Sequence, residues 1–387
     1  MMVPFKKTGK MSGIERLFNF NRRKLAEKYN HKKRINKKLA FFFEIVFWFV
    51  FLGFSFGSKY YVYLDKLVVN KEVKILIYLS GFYLLYNLFS ILIAYFFSYI
   101  LDYQYELSNQ SRKDWIIDEI KAFILGLILF YFAARIYLFL TVKSPELWWI
   151  YYTIIASIIV SLLTFILPVV LLPIFYNLES YPESELKEHL LALINKTDVE
   201  IDDIYQINLS SKINAANAAV IGLGSSRKIV LSDNLKDKYS IDEIKAILAH
   251  ELGHQVHRDI IKNLLIEQLM FLIIAYLIVC IQPLIYPWFG YNSISDPITI
   301  PLLVVMVGFL FWLLSPIEMY ISRSFEKRAD LYAVKLTTKG DSLIKSLVKM
   351  ADEALLPLKV NTYERIFLSH PPISARVEYI FDNSKKE

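Results

Sequence analysis

Cysteine is nearly absent from this sequence of 387 residues, the one example being Cys280. A single thiol excludes a disulfide within the chain and any cysteine-based metal site. Set in an apolar stretch, Cys280 reads as inert packing. Histidine is also scarce, with six in all, so two or three of them in one pattern carry information. The first apolar run begins only near Phe41, which argues against a secretory signal peptide. Internal repeats and low-complexity tracts are lacking too. Acidic residues are missing from one region: residues 1–40 hold 13 Lys or Arg and two acids. Such a segment could meet nucleic acid or an anionic membrane surface. It runs straight into an apolar segment, so the membrane is the expected partner and nucleic acid is not.

What is abundant is apolar and aromatic. Hydrophobic residues make up 55% of the chain and aromatics 16%, above the usual share of soluble domains. Six apolar segments stand out, at residues 41–57, 75–101, 120–142, 148–175, 262–286 and 298–320. Most reach the ~20 residues a helix needs to cross a bilayer. A soluble protein burying six such helices would need a larger polar shell than the remaining residues supply. The expectation is an all-α integral membrane protein with about six transmembrane helices. It is multi-pass, and membrane lipids surround it.

Basic residues set the orientation. The tail before the first span carries Lys32, Lys33, Arg34, Lys37 and Lys38, so it should be cytoplasmic. The 102–119 loop, the 177–261 insert and everything after about 321 then lie on the same side. The 287–297 loop has no Lys or Arg and faces out. The 58–74 loop fits less well, since it carries Lys59, Lys66 and Lys71 on the outside. The organisation is therefore a basic tail at 1–40, four spans within 41–176, a cytoplasmic insert at 177–261, two spans within 262–321, and a cytoplasmic C-terminal part at 322–387. Within the insert, residues 184–195 have helical periodicity, and KIVLS at 228–232 reads as a short strand. Asp242 and Glu243 mark the start of a new helix, because acids suit its positive end.

That helix contains AILAHELGHQVH. His250 and His254 are four apart, so they share one helix face and can bind one metal ion together. Glu251 follows the first histidine, where its carboxylate can take a proton from a metal-activated water. The apolar residues before the motif suit a buried active-site helix rather than an accidental surface match. A catalytic zinc site commonly has three protein ligands and an open position. The segment SRSFEKRADLYAV offers Glu326 and Asp330, again four apart. One can ligate, and the other can hold a ligand histidine through its second ring nitrogen. Spacing alone does not say which.

Several further stretches resemble the type I CAAX prenyl proteases, membrane gluzincins. YELSNQSRKDWIIDE at 105–119 looks like that family's loop between two spans, and LPIFYNLESYPESELKEHLLAL at 172–193 like its run into the soluble domain. NAAVIGLGSSRKIVLSDNL at 217–235 is similar to its substrate-side segment. HELGH, SRSFEKRAD and SHPPISARVEYI at 369–380 follow in the family's order. The resemblance covers about residues 75 to 381. It implies a chamber enclosed by the spans and a mostly helical zinc peptidase domain with a small β element. It implies one Zn2+ per chain, held by His250, His254 and Glu326, with Glu251 as catalytic base. Asp330 falls on the carboxylate that orients a ligand histidine. His370 falls on a catalytic histidine that steadies the oxyanion, and Asn217 and Arg376 on substrate-binding positions. Family members of eukaryotes have seven spans and long loops. Six spans and short loops here point to a bacterial or archaeal enzyme of the inner membrane, cutting peptide or protein substrates, lipidated or not, on the cytoplasmic side.

Other polar residues read more plainly. His257 lies two turns beyond His250 and reads as a helix-face residue; His31 and His189 read as solvated. Glu44, Arg135, Glu267 and Glu318 fall within spans, where charge is costly and usually faces a cavity or a partner. Arg135 lies deepest and is expected to line the chamber. Two other functions compete with a prenyl-protease-like one. A quality-control protease for membrane proteins would use the same motif. A transporter or channel with a structural metal would have no use for the glutamate in HELGH. The topology is open to direct test: reporter fusions at Glu387 and beside Tyr291 are expected to report opposite sides of the membrane. The same side for both would end the six-span arrangement.

Overall fold

The computed structural model describes residues 15–222 and 224–384; residues 1–14 of the basic tail and Leu223 of the IGLGSS stretch lie outside the described residues. The apolar segments form long helices. They are α1 (Phe20–Gly53), α2 (Phe56–Leu67), α3 (Lys71–Ala94), α4 (Arg112–Lys143) and α5 (Trp148–Phe175). Helix α3 runs on through a π-helical turn at Tyr95–Tyr99 and a last turn at Ile100–Gln104. The polar insert follows, with β1 (Leu178–Ser180), α6 (Glu185–Ile194), β2 (Asp203–Ile207), β3 (Ala218–Ile221), β4 (Lys228–Ser232) and α7 (Ile241–Val256). The chain then returns through α8 (Asp259–Ile285) and α9 (Ile300–Thr337), and ends in α10 (Gly340–Glu353), α11 (Thr362–Ile366) and α12 (Ile373–Ser384).

Five of these helices, counting α3 with its extension, are long and apolar enough to cross a membrane, and a sixth arises if α1 and α2, bent by 48° at their junction, count as one. Their outward faces carry exposed Phe49, Leu88, Phe132, Ile158, Leu269 and Leu313. Helical hydrogen bonds satisfy the backbone of each span internally, as a hydrocarbon surround requires. Inward, Tyr78, Leu79, Tyr137, Ile274 and Ile278 form one buried core. A second core lies in the polar half, where Leu190, Ile204, Ile229, Leu248, Leu252 and Ile380 meet. The protein is thus mostly helical, with one small sheet.

That sheet has the order β1-β2-β4-β3, with β2 and β4 parallel and the outer pairs antiparallel. The sequence reading found only β4 of these four strands. The others are short, and β2 carries Asp203 and Gln206, which blunt the apolar signal. Strand β3 sits at the edge of the sheet, directly after Asn217.

The basic segment also differs from its reading as a separate tail. From Phe20 it is helical, continuous with the first span in α1. Its arginines cap another helix. Arg22 donates to the Asp352 and Glu353 carbonyls, and Arg23 to those of Ala351 and Leu356, while Arg23 also pairs with the Asp352 carboxylate at 2.6 Å. The final carbonyls of a helix lack intrahelical partners, and cations are favoured at that end. So this charge serves the C-terminal end of α10. Arg135 is not a lone charge facing a chamber either; its guanidinium pairs with Glu72 at the start of α3, at 2.5 Å.

The start of α7 is fixed by a capping box. The Ser240 hydroxyl accepts from the Glu243 N–H, and the Glu243 carboxylate accepts from the Ser240 N–H at 2.9 Å. Lys349 of α10 adds an ion pair to Glu243 at 2.7 Å. Burial opposes the Glu243 charge, but Lys349 and the Ser240 N–H outweigh it and hold the carboxyl below its usual range. A group with a lowered folded-state pKa stabilises above its unfolded value, and that contribution fades as pH falls through the folded one. Ser240→Ala is expected to cost about 1 kcal/mol, read as a lower melting temperature in detergent. Glu243→Gln is expected to melt below the wild type at neutral pH, with the gap closing on acidification below about pH 4.

Candidate metal centre

Helix α7 is buried along most of its length, from Glu243 through Gly253. It packs on α9, and Gly253 makes the close approach possible. A Cβ built there would meet the Ala329 Cα at 3.1 Å and the Tyr332 Cβ at 3.3 Å. The pairing sets the HELGH face of α7 against the Glu326 and Asp330 face of α9. The latter is one continuous helix of 38 residues, so a single rod carries both span residues and site residues.

The three expected ligands converge. His250 Nε2 and His254 Nε2 are 3.2 Å apart. Glu326 Oε2 lies 3.5 Å from the first and Glu326 Oε1 3.4 Å from the second. Arms of about 2.0–2.1 Å on a tetrahedral ion give edges of about 3.3–3.4 Å, which these separations match. The second ring nitrogens are both engaged elsewhere. His250 Nδ1 meets Asp330 Oδ1 at 3.0 Å, and His254 Nδ1 meets Asp259 Oδ2 at 2.9 Å. With the proton held at Nδ1, each Nε2 presents a lone pair to the shared point. Glu326 Oε2 is buried and accepts no hydrogen bond, with the Arg376 guanidinium 3.3 Å away. Two lone pairs and a carboxylate oxygen facing one another favour a cation between them. The local field agrees. Burial works against charge on His254, yet the Asp259 and Glu326 carboxylates prevail and lift its pKa to about 9. A field that attracts a proton so strongly also attracts a metal ion.

Glu251 follows His250 on the same helix, and burial raises its carboxyl above the ordinary range against the pull of His250 and His254. A raised carboxyl is suited to receiving a proton near neutral pH. His370 is largely exposed and brings Nδ1 to 2.9 Å from Glu326 Oε1. Asn217 lies on the sheet side, where its amide oxygen accepts from the Ala218 N–H. It borders a cavity of ≈ 670 Å³ lined by apolar residues of α5 and the sheet, among them Leu163, Leu172, Ala219 and Val230. Arg376 is buried, and its guanidinium is committed to Asp330 at 2.6 and 2.9 Å and to Glu326 at 3.3 Å. It thus acts on two carboxylates of α9. His257 closes α7, its Nδ1 bonded to the Gly253 carbonyl at 2.6 Å.

Known proteins resemble this chain in sequence and fold. Residues 180–383 match peptidase family M48, and residues 13–177 match the CAAX prenyl protease N-terminal region, described as five membrane helices. The chain belongs to peptidase family M48. Among the relatives of this M48 peptidase is an uncharacterized metalloprotease, YhfN, of Bacillus subtilis, 27% identical over 286 residues, which are 73% of this chain and 67% of that one. CAAX prenyl protease 1 of Saccharomyces cerevisiae is 28% identical over 317 residues, 76% of this chain and 69% of that one. The crystal structure of S. mikatae Ste24p superposes with a TM-score of 0.86 at 24% identity, over 95% of this chain and 90% of that one. The protein is therefore a multi-pass membrane metallopeptidase of family M48, similar in its membrane half to the CAAX prenyl protease N-terminal region, and its substrates are peptides or proteins.

The carboxylate on His254 was not foreseen in the sequence. Asp259 lies only five residues beyond that histidine, but no helical spacing joins them, because a turn intervenes. Packing at Gly253 holds both halves of the site, so Gly253→Ala is expected to force α7 and α9 apart. The cost should be about 1–3 kcal/mol, measured as a lower melting temperature together with weaker retention of metal. Unchanged stability would show that the helices separate freely.

Proposed function

We propose that this M48 peptidase is a zinc endopeptidase that cuts peptide bonds at the cytoplasmic face of a prokaryotic inner membrane. One observation carries the reading. Two histidines turn free Nε2 atoms onto Glu326, and Glu251 stands beside them on the same buried helix. His250, His254 and Glu326 would hold one zinc ion. When bound, zinc supplies Lewis-acid polarisation of the scissile carbonyl and acidifies water.

The remaining steps belong to the chain itself. Glu251 takes a proton from the attacking water and later delivers it to the leaving nitrogen. Asp330 holds the Nδ1 proton of His250 and so fixes its tautomer. His370 stands at the exposed side of the cluster, where a hydrogen bond from its ring steadies the developing oxyanion. Arg376 adds positive charge behind the carboxylates, so it would act on the substrate through that charge rather than by contact. An extended substrate fits along β3, whose outer edge carries no strand among the described residues; pairing with a free strand edge is a common way to bind peptides. Asn217 lies at the start of that edge. The apolar cavity beside it suits an aliphatic side chain or a lipid on the substrate. The cytoplasmic placement rests on the basic residues of α1 and on Arg323, Lys327 and Arg328 after the last span.

Four variants test these roles together. Glu251→Gln is expected to keep zinc and lose nearly all peptide cleavage. Glu326→Ala should hold the least zinc of the set. Asp330→Asn should lose about 10- to 100-fold in affinity or activity. His370→Ala should keep its zinc and lose about 2.7–4 kcal/mol of transition-state stabilisation. Elemental analysis of the purified proteins beside a peptide assay gives the ranking. Metal lost from His370→Ala but retained by Glu326→Ala would move the third ligand to another segment.

A further inference from the structure

We propose that Asp259 is the positioning residue for His254, clamped by Arg328, so that each metal-binding histidine is held by its own buried aspartate paired with an arginine. This rests on the assignment of His254 as a ligand. The first relay runs His250, Asp330, Arg376. The second runs His254, Asp259, Arg328 in the same order of groups, with one arginine contact to the aspartate where the first has two. His254 Nδ1 meets Asp259 Oδ2 at 2.9 Å, and Asp259 Oδ1 accepts from the Arg328 guanidinium. Only 2% of Asp259 is exposed. Lys262 stands 4.0 Å from the same oxygen, a weaker second cation. Arg328 is itself fixed over the ring of Phe325, at 5.0 Å from its centroid.

Asp259 is no fourth ligand. It touches the ring nitrogen that points away from the Nε2 and Glu326 cluster. Its effect passes through the imidazole: it holds the proton at Nδ1 and leaves the Nε2 lone pair toward the metal.

The backbone gives independent support. Arg258, just before Asp259, has φ of 55° in the left-handed region. A non-glycine residue rarely adopts this conformation, and such outliers cluster at functional sites. Here it breaks the chain between α7 and α8, and that turn brings Asp259 against His254. Asp259 is also the first residue of α8, where the helix dipole favours an anion. The two relays differ in what they join. The first ties α7 to α9 and α12. The second ties α7 to the first turn of α8 and to α9, both of which continue into the membrane. The orientation of His254 is thus set by where two spans enter the bilayer.

The test uses the full chain in detergent, with zinc affinity measured by chelator competition and geometry read from the visible spectrum of the cobalt(II)-substituted protein. Asp259→Asn is expected to bind zinc about 10- to 100-fold more weakly, with an altered cobalt spectrum. Turnover should recover in excess zinc, and KM should change little. Arg328→Gln keeps the carboxylate but frees it, and should shift affinity in the same direction by less; it serves if Asp259→Asn does not fold. His254→Ala separates the two levels of the argument. If His254→Ala itself keeps full zinc affinity, the ligand set fails and this inference with it. If His254→Ala loses zinc while Asp259→Asn and Arg328→Gln keep wild-type affinity and cobalt spectrum, only the positioning role is overturned, and a lowered melting temperature would mark Asp259 as a fold element.

Discussion

Convergence of like-signed electron density is the constraint on which this structure turns. His250 and His254 bring two ring nitrogens to 3.2 Å, beside a carboxylate oxygen buried without a hydrogen bond. Without a cation between them such atoms hold protons instead, as the lifted pKa of His254 indicates, and the residues around them keep them facing one another. Each imidazole is held from behind by an aspartate, each aspartate is neutralised by an arginine, and both helices are pressed together at a glycine. Burying an unpaired carboxylate is costly, and so is burying an unpaired guanidinium. Pairing Asp330 with Arg376, and Asp259 with Arg328, offsets the cost of burying the two aspartates.

Much of this was legible in the sequence because it is local. Two histidines four apart on a helix declare a shared face, and the glutamate between them declares a use for it. The pair Glu326 and Asp330 declares a second face by the same arithmetic, though not which carboxylate does what. The structure separates them by distance: Asp330 sits on the nitrogen of His250 that faces away from the cluster, and Glu326 sits on the side that faces it. Long apolar runs marked the spans but not all their ends: α1 begins at Phe20 and breaks after Gly53 where 41–57 was expected, and α9 runs on to Thr337 past 320. What periodicity cannot carry is any relation made by a turn or by remote packing. Asp259 reaches His254 through a left-handed residue at Arg258, and Arg376 reaches Asp330 from α12. Neither has a spacing that a sequence pattern would reveal. The sheet was mostly hidden for another reason: strands of three to five residues with polar residues among them resemble loops.

The basic segment shows how one charge pattern supports two physical readings. Thirteen basic residues against two acids ahead of a span point to the cytoplasmic side, because moving such charge across a bilayer is unfavourable. The same arginines, folded into α1, satisfy carbonyls at the end of α10 that no helix can satisfy for itself. Topology depends on the charge, whereas docking depends on the planar guanidinium fork, which reaches two carbonyls where an ammonium offers one point. Arg22 and Arg23 perform the docking, and with the lysines further along α1 they would set the proposed topology.

The site lies beside the membrane-spanning half, and α9 runs from its span into the site without a break. In α9, Phe309 and Leu313 face outward among lipid-exposed residues, while Glu326, Ala329 and Asp330 further along are buried in the peptidase core. A peptidase whose ligands sat on a loop could adjust them independently of the bilayer. Here a rotation of α9 that exposed Leu313 differently to lipid would also swing Glu326, because a helix transmits rotation along its length. The left-handed turn at Arg258 couples α8 in the same way through Asp259 and His254. Metal geometry and the packing of the spans are therefore two expressions of one rigid arrangement. A substrate lying at the membrane face meets a site whose height and orientation relative to the lipid are set by the same helices that hold the metal ligands.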